Sequence, residues 1–102
     1  MHFYIGQSFE QLGDQKQALV NYKKCLALDQ NFFSACLALA NLLVSLGAGE
    51  RALKYFEHAL RIDRQSVAAH FGTAKIYADY PIVPDNEDRA IDEFQVVVRL
   101  SP

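Results

Sequence analysis

Apolar residues recur along this chain at the three- and four-residue spacings of helices that bury one face. Cys36, Leu39, Ala40 and Leu43 stand at i, i+3, i+4 and i+7, which lines them up on a single stripe and predicts a helix. The pattern breaks at Gly47-Ala48-Gly49, because glycine takes the left-handed conformation that ends a helix without a side-chain clash. It resumes through Ala52, Phe56, Ala59 and Leu60 and fades in the polar stretch from Asp63 to Ser66. The preceding segment has the same plan: Ile5, Gly6 and Phe9, a stop at Gly13, then Ala18, Tyr22, Cys25 and Leu26.

Laid over one another, these helical pairs repeat every 34 residues. Gly6, Ala40 and Ala74 fall in step, as do Ala18 with Ala52 and Tyr22 with Phe56. Their third counterparts, Ala90 and Phe94, lie 38 residues on, so the last unit carries four extra residues between its halves. The expected organisation is three units over 1–32, 33–66 and 67–102, with the insertion in the last inter-helix loop. Small residues at the recurring positions let paired helices approach closely while aromatics fill the space beside them. A fixed period of this length predicts an all-α stack of three antiparallel helix pairs, which works by offering a surface.

The residues that carry the period resemble the tetratricopeptide repeat family, in which an aromatic-x2-Leu-Gly-x2-Tyr run precedes Ala-x3-Phe and a closing proline. The three units give His2-x2-Ile5-Gly6-x2-Phe9 with Ala18-x3-Tyr22, Cys36-x2-Leu39-Ala40-x2-Leu43 with Ala52-x3-Phe56, and His70-x2-Thr73-Ala74-x2-Tyr77 with Ala90-x3-Phe94. They depart from it at Cys36, where a large aromatic is missing, and at Gln30 and Arg64, which replace the proline. The resemblance implies a right-handed α-solenoid whose first helices line a concave wall.

On that register the wall comprises Phe3, Gln7, Glu10 and Gln11, then Ser34, Leu37, Asn41, Val44 and Ser45, then Ala68, Phe71, Lys75, Ala78 and Asp79. Phe3, Gln7, Leu37, Asn41, Val44, Phe71 and Lys75 are the expected partner-binding residues: apolar centres for an inserted side chain, and Asn41 for the partner backbone. The competing reading has Phe3, Leu37 and Phe71 packing within the solenoid. One branch of the family clamps the C-terminal carboxylate of heat-shock chaperones with lysine, asparagine and arginine. Phe3, Gln7, Ala38, Ala68 and Gly72 hold those places here and supply no cation, which argues against that activity.

Composition narrows the function without naming a partner. A net charge of -2 makes nucleic acid an unexpected partner, and no apolar run is long enough to cross a bilayer. Without a secretion signal at its start, the chain reads as intracellular and cytoplasmic. Cys25 and Cys36 are too few for a disulfide framework and wrongly spaced for zinc, so buried thiols are expected. His2 and His70 share a packing position in different units, and His58 is expected on a solvated outer face beside Lys54 and Arg61. No phosphate loop, metal-ligand motif or nucleophile turn is present, so neither an enzyme nor a cofactor is expected.

Two local features remain. In the insertion, Pro81 is expected to stop the helix before it and Asp85 to cap the next, with Glu87 and Asp88 in its first turn. The last helix carries Ile91, Phe94, Val96, Val97, Val98 and Leu100, more apolar surface than one neighbour covers. A further repeat of a longer array is expected over that face, or self-association in isolation. A protein or peptide partner in the concave groove is thus the leading expectation. The alternatives are a structural spacer between repeats and the recognition arm of an enzyme encoded elsewhere in a longer chain.

Overall fold

The computed structural model describes residues 2–79 and 86–101, with the side chains of 86 and 87 excepted. Six helices follow in order: α1 (His2–Gln11), α2 (Gln15–Leu28), α3 (Phe33–Ser45), α4 (Gly49–Ile62), α5 (Val67–Asp79) and α6 (Asn86–Leu100). No strand occurs among the described residues. Packing is closest within α1–α2, α3–α4 and α5–α6; α2 then meets α3, α4 meets α5, and α3 touches α5 along one side. Helix pairs that contact only their neighbours form a stack, and the chain measures 37 × 25 × 22 Å.

The turns within the first two pairs are chemically alike because glycine ends the first helix of each. Gly13 and Gly47 have φ of +84° and +80°, a region that costs a side-chain-bearing residue dearly. Beside them, the N–H groups of Asp14 and Ala48 reach back to the Phe9 and Leu43 carbonyls at 2.8 Å, the closing bond of a Schellman turn. Gly49, expected in the break, is instead the first residue of α4. The expected roles of Pro81 and Asp85 lie outside the described residues.

Links between pairs also recur with the period. Asp29 and Asp63 end α2 and α4, and each carboxylate accepts the N–H two residues on, from Asn31 and Gln65, at 3.1 Å. The carbonyl one residue after each aspartate is then held by the next first helix. Cys36 Sγ lies 4.0 Å from the Gln30 oxygen, and His70 Nε2 lies 2.8 Å from that of Arg64. Side-chain bonds to these two carbonyls thus join successive units. His58 also reaches the Gln30 carbonyl, at 2.7 Å, and is half-buried rather than solvated as expected.

Tyr22 and Phe56 are wholly buried, with Ala18 and Ala52 beside them, and they set how closely helices approach. A Cβ built on Gly6 would come within 2.7 Å of the Tyr22 ring, and one on Gly72 would overlap the Phe56 ring. The Phe56 contact crosses from α4 to α5, so one aromatic ties two pairs together. Gly72→Ala weighs a gain of about 1 kcal/mol in helix propensity against overpacking of a ring that has no free space. We expect the second effect to win, with a net loss of about 1–3 kcal/mol, read as a lower urea midpoint at unchanged m-value.

His70 supplies a pH-dependent tie between α5 and α6. Its Nδ1 lies 2.7 Å from Glu93 Oε2, so both ring nitrogens face acceptors and only the imidazolium can donate to both. Partial burial alone would lower its pKa, but the hydrogen bonds to Glu93 and the Arg64 carbonyl, with the Glu93 charge, together raise it above the usual 6.5. A raised folded-state pKa means that the stabilisation is complete below about 6.5 and is lost as pH climbs through the folded value. We expect His70→Gln to lower the unfolding free energy measured in urea at acidic pH, by about 1 kcal/mol or less for so accessible a pair, and to change it less at pH well above that range.

Candidate partner-binding surface

Two first helices, α3 and α5, lie side by side and leave a cleft of about 200 Å³ between them. Asn41 and Val44 form one side, one helical turn apart on α3. Ala68, Phe71 and Lys75 form the other on α5, and the floor is Gly72 with the Phe56 ring. The helical spacing of three or four residues brings each set to the same face. A small-molecule site usually measures about 300–1,000 Å³ and encloses its ligand; this cleft is smaller and suits a side chain presented by another polypeptide.

Phe71 dominates the opening because it is 47% exposed yet held in place. Its ring meets Phe94 edge-on at 6.1 Å, and the Lys75 ammonium lies 5.8 Å from its centroid. Both contacts restrain the ring, so little rotamer freedom remains to be lost when a partner arrives. The exposed Asn41 side chain bonds to no other described residue, which leaves its donor and acceptor available.

Four of the seven residues expected from the sequence, Asn41, Val44, Phe71 and Lys75, are therefore gathered in one place. Gln7 is exposed on α1, outside that cleft, and Leu37 is half-buried against the core. Phe3 requires a correction, since it was placed on the open wall but is only 9% exposed. Its ring lies 6.0 Å from Tyr22 and 5.4 Å from Phe32, and this aromatic cluster at the junction of α1, α2 and α3 removes it from a partner's reach. Glu10, also on the expected wall, is engaged by the Tyr22 hydroxyl, which donates to its carboxylate.

The floor was not anticipated. Gly72 was read as a missing cation, whereas it lets the α5 backbone pack directly on the Phe56 ring; a glycine inside a helical pattern was the available signal for such close approach. Neither cysteine contributes to the surface. Both are free and buried, and burial above all, then the Cys25 thiol and the Asp29 charge, pushes the Cys36 pKa up to about 11. Among the described residues no group of three histidine, cysteine or acidic side chains is arranged to hold a metal ion, and no helix is long and apolar enough to cross a membrane.

Comparison with known proteins bears on this geometry. Residues 11–76 match the family model for the tetratricopeptide repeat. Over 95 residues the chain is 26% identical to the protein CTR9 homolog of Arabidopsis thaliana, an alignment that takes in 93% of this chain and only 8% of the plant protein. Among solved structures, MamA superposes with a TM-score of 0.88 at 16% identity, over 97% of this chain and 56% of that one. YrrB, described as a TPR protein with an unusual peptide-binding site, gives 0.85 at 20% identity, over 99% and 50%. These two likenesses show the fold.

Proposed function

The chain belongs to the tetratricopeptide repeat family, and on that premise we propose that the face shared by α3 and α5 binds a segment of a partner protein. Repeats of this family generally mediate protein–protein interaction. The observation that carries the proposal is Phe71: a large apolar ring, half in solvent, braced by Phe94 and Lys75 over a cleft with an uncommitted amide on its far side. An extended or helical peptide that places one apolar side chain beside Phe71 and Val44, with its backbone against Asn41, matches this arrangement. YrrB, which shares the fold, is described as having a peptide-binding site, which accords with a peptide as the kind of partner.

The chain spans less than a tenth of the plant relative and about half of the structural ones. We propose for it the role of an interaction module within a larger scaffold or multisubunit assembly, acting by binding and not by catalysis. Peptides selected by this chain from a displayed twelve-residue library should share an apolar anchor. Phe71→Ala should weaken them by about 2 kcal/mol, and Asn41→Ala by about 1 kcal/mol, with melting unchanged. Binding retained with lowered melting would instead make this face a spacer between repeats.

A second contact has its own support on α6. Ile91 and Val98 are 55% and 73% exposed, and with Phe94 they line an open cleft of about 630 Å³. We propose that this face meets another copy of the chain when no further helix covers it. Sedimentation should show concentration-dependent association that I91K/V98K abolishes. A monomer at high concentration that binds no apolar dye refutes the contact.

A further inference from the structure

A larger cleft, of about 600 Å³, lies on the second helices, where the end of α2 faces α4. It shares no residue with the α3–α5 cleft. Arg51, Lys54 and Arg61 line it, together with Leu26, Tyr55 and His58. On α4 the buried Ala52, Leu53, Phe56 and Ala59 face the core, whereas Arg51, Lys54 and Arg61 project from the opposite side. The three cations are exposed, and none forms an ion pair among the described residues. Glu57 is the single acid in the cleft, although acidic residues outnumber basic ones by 12 to 10 in the chain as a whole. The cleft is therefore locally positive on a chain of net charge -2.

We propose that this cleft is a second docking site, for a short acidic segment of a partner protein. Arg51 and Arg61 are ten residues apart on one helix, about 15 Å along its axis, which an extended segment of about five residues spans. Carboxylates near its two ends meet a guanidinium each, a pairing that the planar fork makes bidentate. Glu57 lies between Lys54 and Arg61 and repels a carboxylate at the middle, where half-buried Leu26 and Tyr55 offer apolar contact instead. His58, bonded to the Gln30 carbonyl at 2.7 Å, braces the floor between α4 and the end of α2. The favoured ligand is thus acid, apolar centre, acid. A phosphate ion is too small to use both arginines, and a nucleic acid backbone would pass the apolar centre without using it.

Fluorescence anisotropy with a labelled Glu-Glu-Leu-Phe-Glu-Glu peptide tests this on the whole chain. Binding should weaken by about tenfold or more when glutamine replaces every glutamate, and again when sodium chloride is raised roughly tenfold, because exposed charges are screened. R51E/R61E should abolish binding and R51K/R61K should retain part of it, both with unchanged circular dichroism and melting. Phe71→Ala should leave this affinity intact, which separates the site from the α3–α5 face. Equal affinity for the glutamine peptide overturns the proposal. So does full binding by a correctly folded R51E/R61E variant, or displacement of the peptide by inorganic phosphate or a short oligodeoxythymidylate as effectively as by unlabelled peptide.

Discussion

Close contact between a buried aromatic on each of the second helices α2 and α4 and a glycine on a first helix governs this molecule. Tyr22 lies against Gly6 within the first pair, and Phe56 lies against Gly72 across to the third. Both rings are fully buried, so the distance between helix axes follows from ring thickness and from the missing Cβ. The backbone closes around this spacing, with Schellman turns at Gly13 and Gly47 and aspartate turns after α2 and α4. The same devices recur because each helix pair faces the same problem of burying one side against its neighbour.

That packing also shapes the clefts proposed as docking sites. Phe56 draws α5 in through Gly72, and the residues one turn away on α3 and α5 then border a shallow cleft. Phe71 stays half in solvent because Phe94 and Lys75 occupy its flanks but not its open side. On the other side of α4, the residues that cannot face the core include Arg51, Lys54 and Arg61, so one helix carries a buried apolar stripe and an exposed cationic one. The two clefts share no lining residue and lie on opposite sides of α4, so the two proposed docking sites would not compete for space.

Junctions between units are tied by side chains that reach back to the preceding turn. Gln30 and Arg64 stand where proline is usual, and their carbonyls are engaged by side chains of the following first helix, Cys36 and His70. His70 adds Glu93 of α6, so part of the third pair's attachment depends on an imidazolium. At the equivalent place in the first pair, His2 Nδ1 lies 3.4 Å from the Asn21 side-chain oxygen. Equivalent positions in the repeat therefore differ in partner, an amide in the first pair and a carboxylate in the third.

Period, helix type and the identity of the small and aromatic packing positions were legible in the residues themselves. They depend on local rules, the 3.6-residue turn of the helix and the conformational freedom of glycine, and they recur 34 residues on, as at Gly13 and Gly47. Side-chain exposure was not legible, because it depends on what the neighbouring helix brings. Phe3 and Phe71 occupy the same place in their units, yet Phe32 and Tyr22 cover the first ring while the second opens on a cleft. Gly72 likewise read as an absent charge until Phe56 lay beneath it. Sequence by itself determined a stack of helix pairs built for contact; tertiary packing alone decided which faces remain open, since burial is a property of two surfaces and a one-dimensional pattern records only one of them.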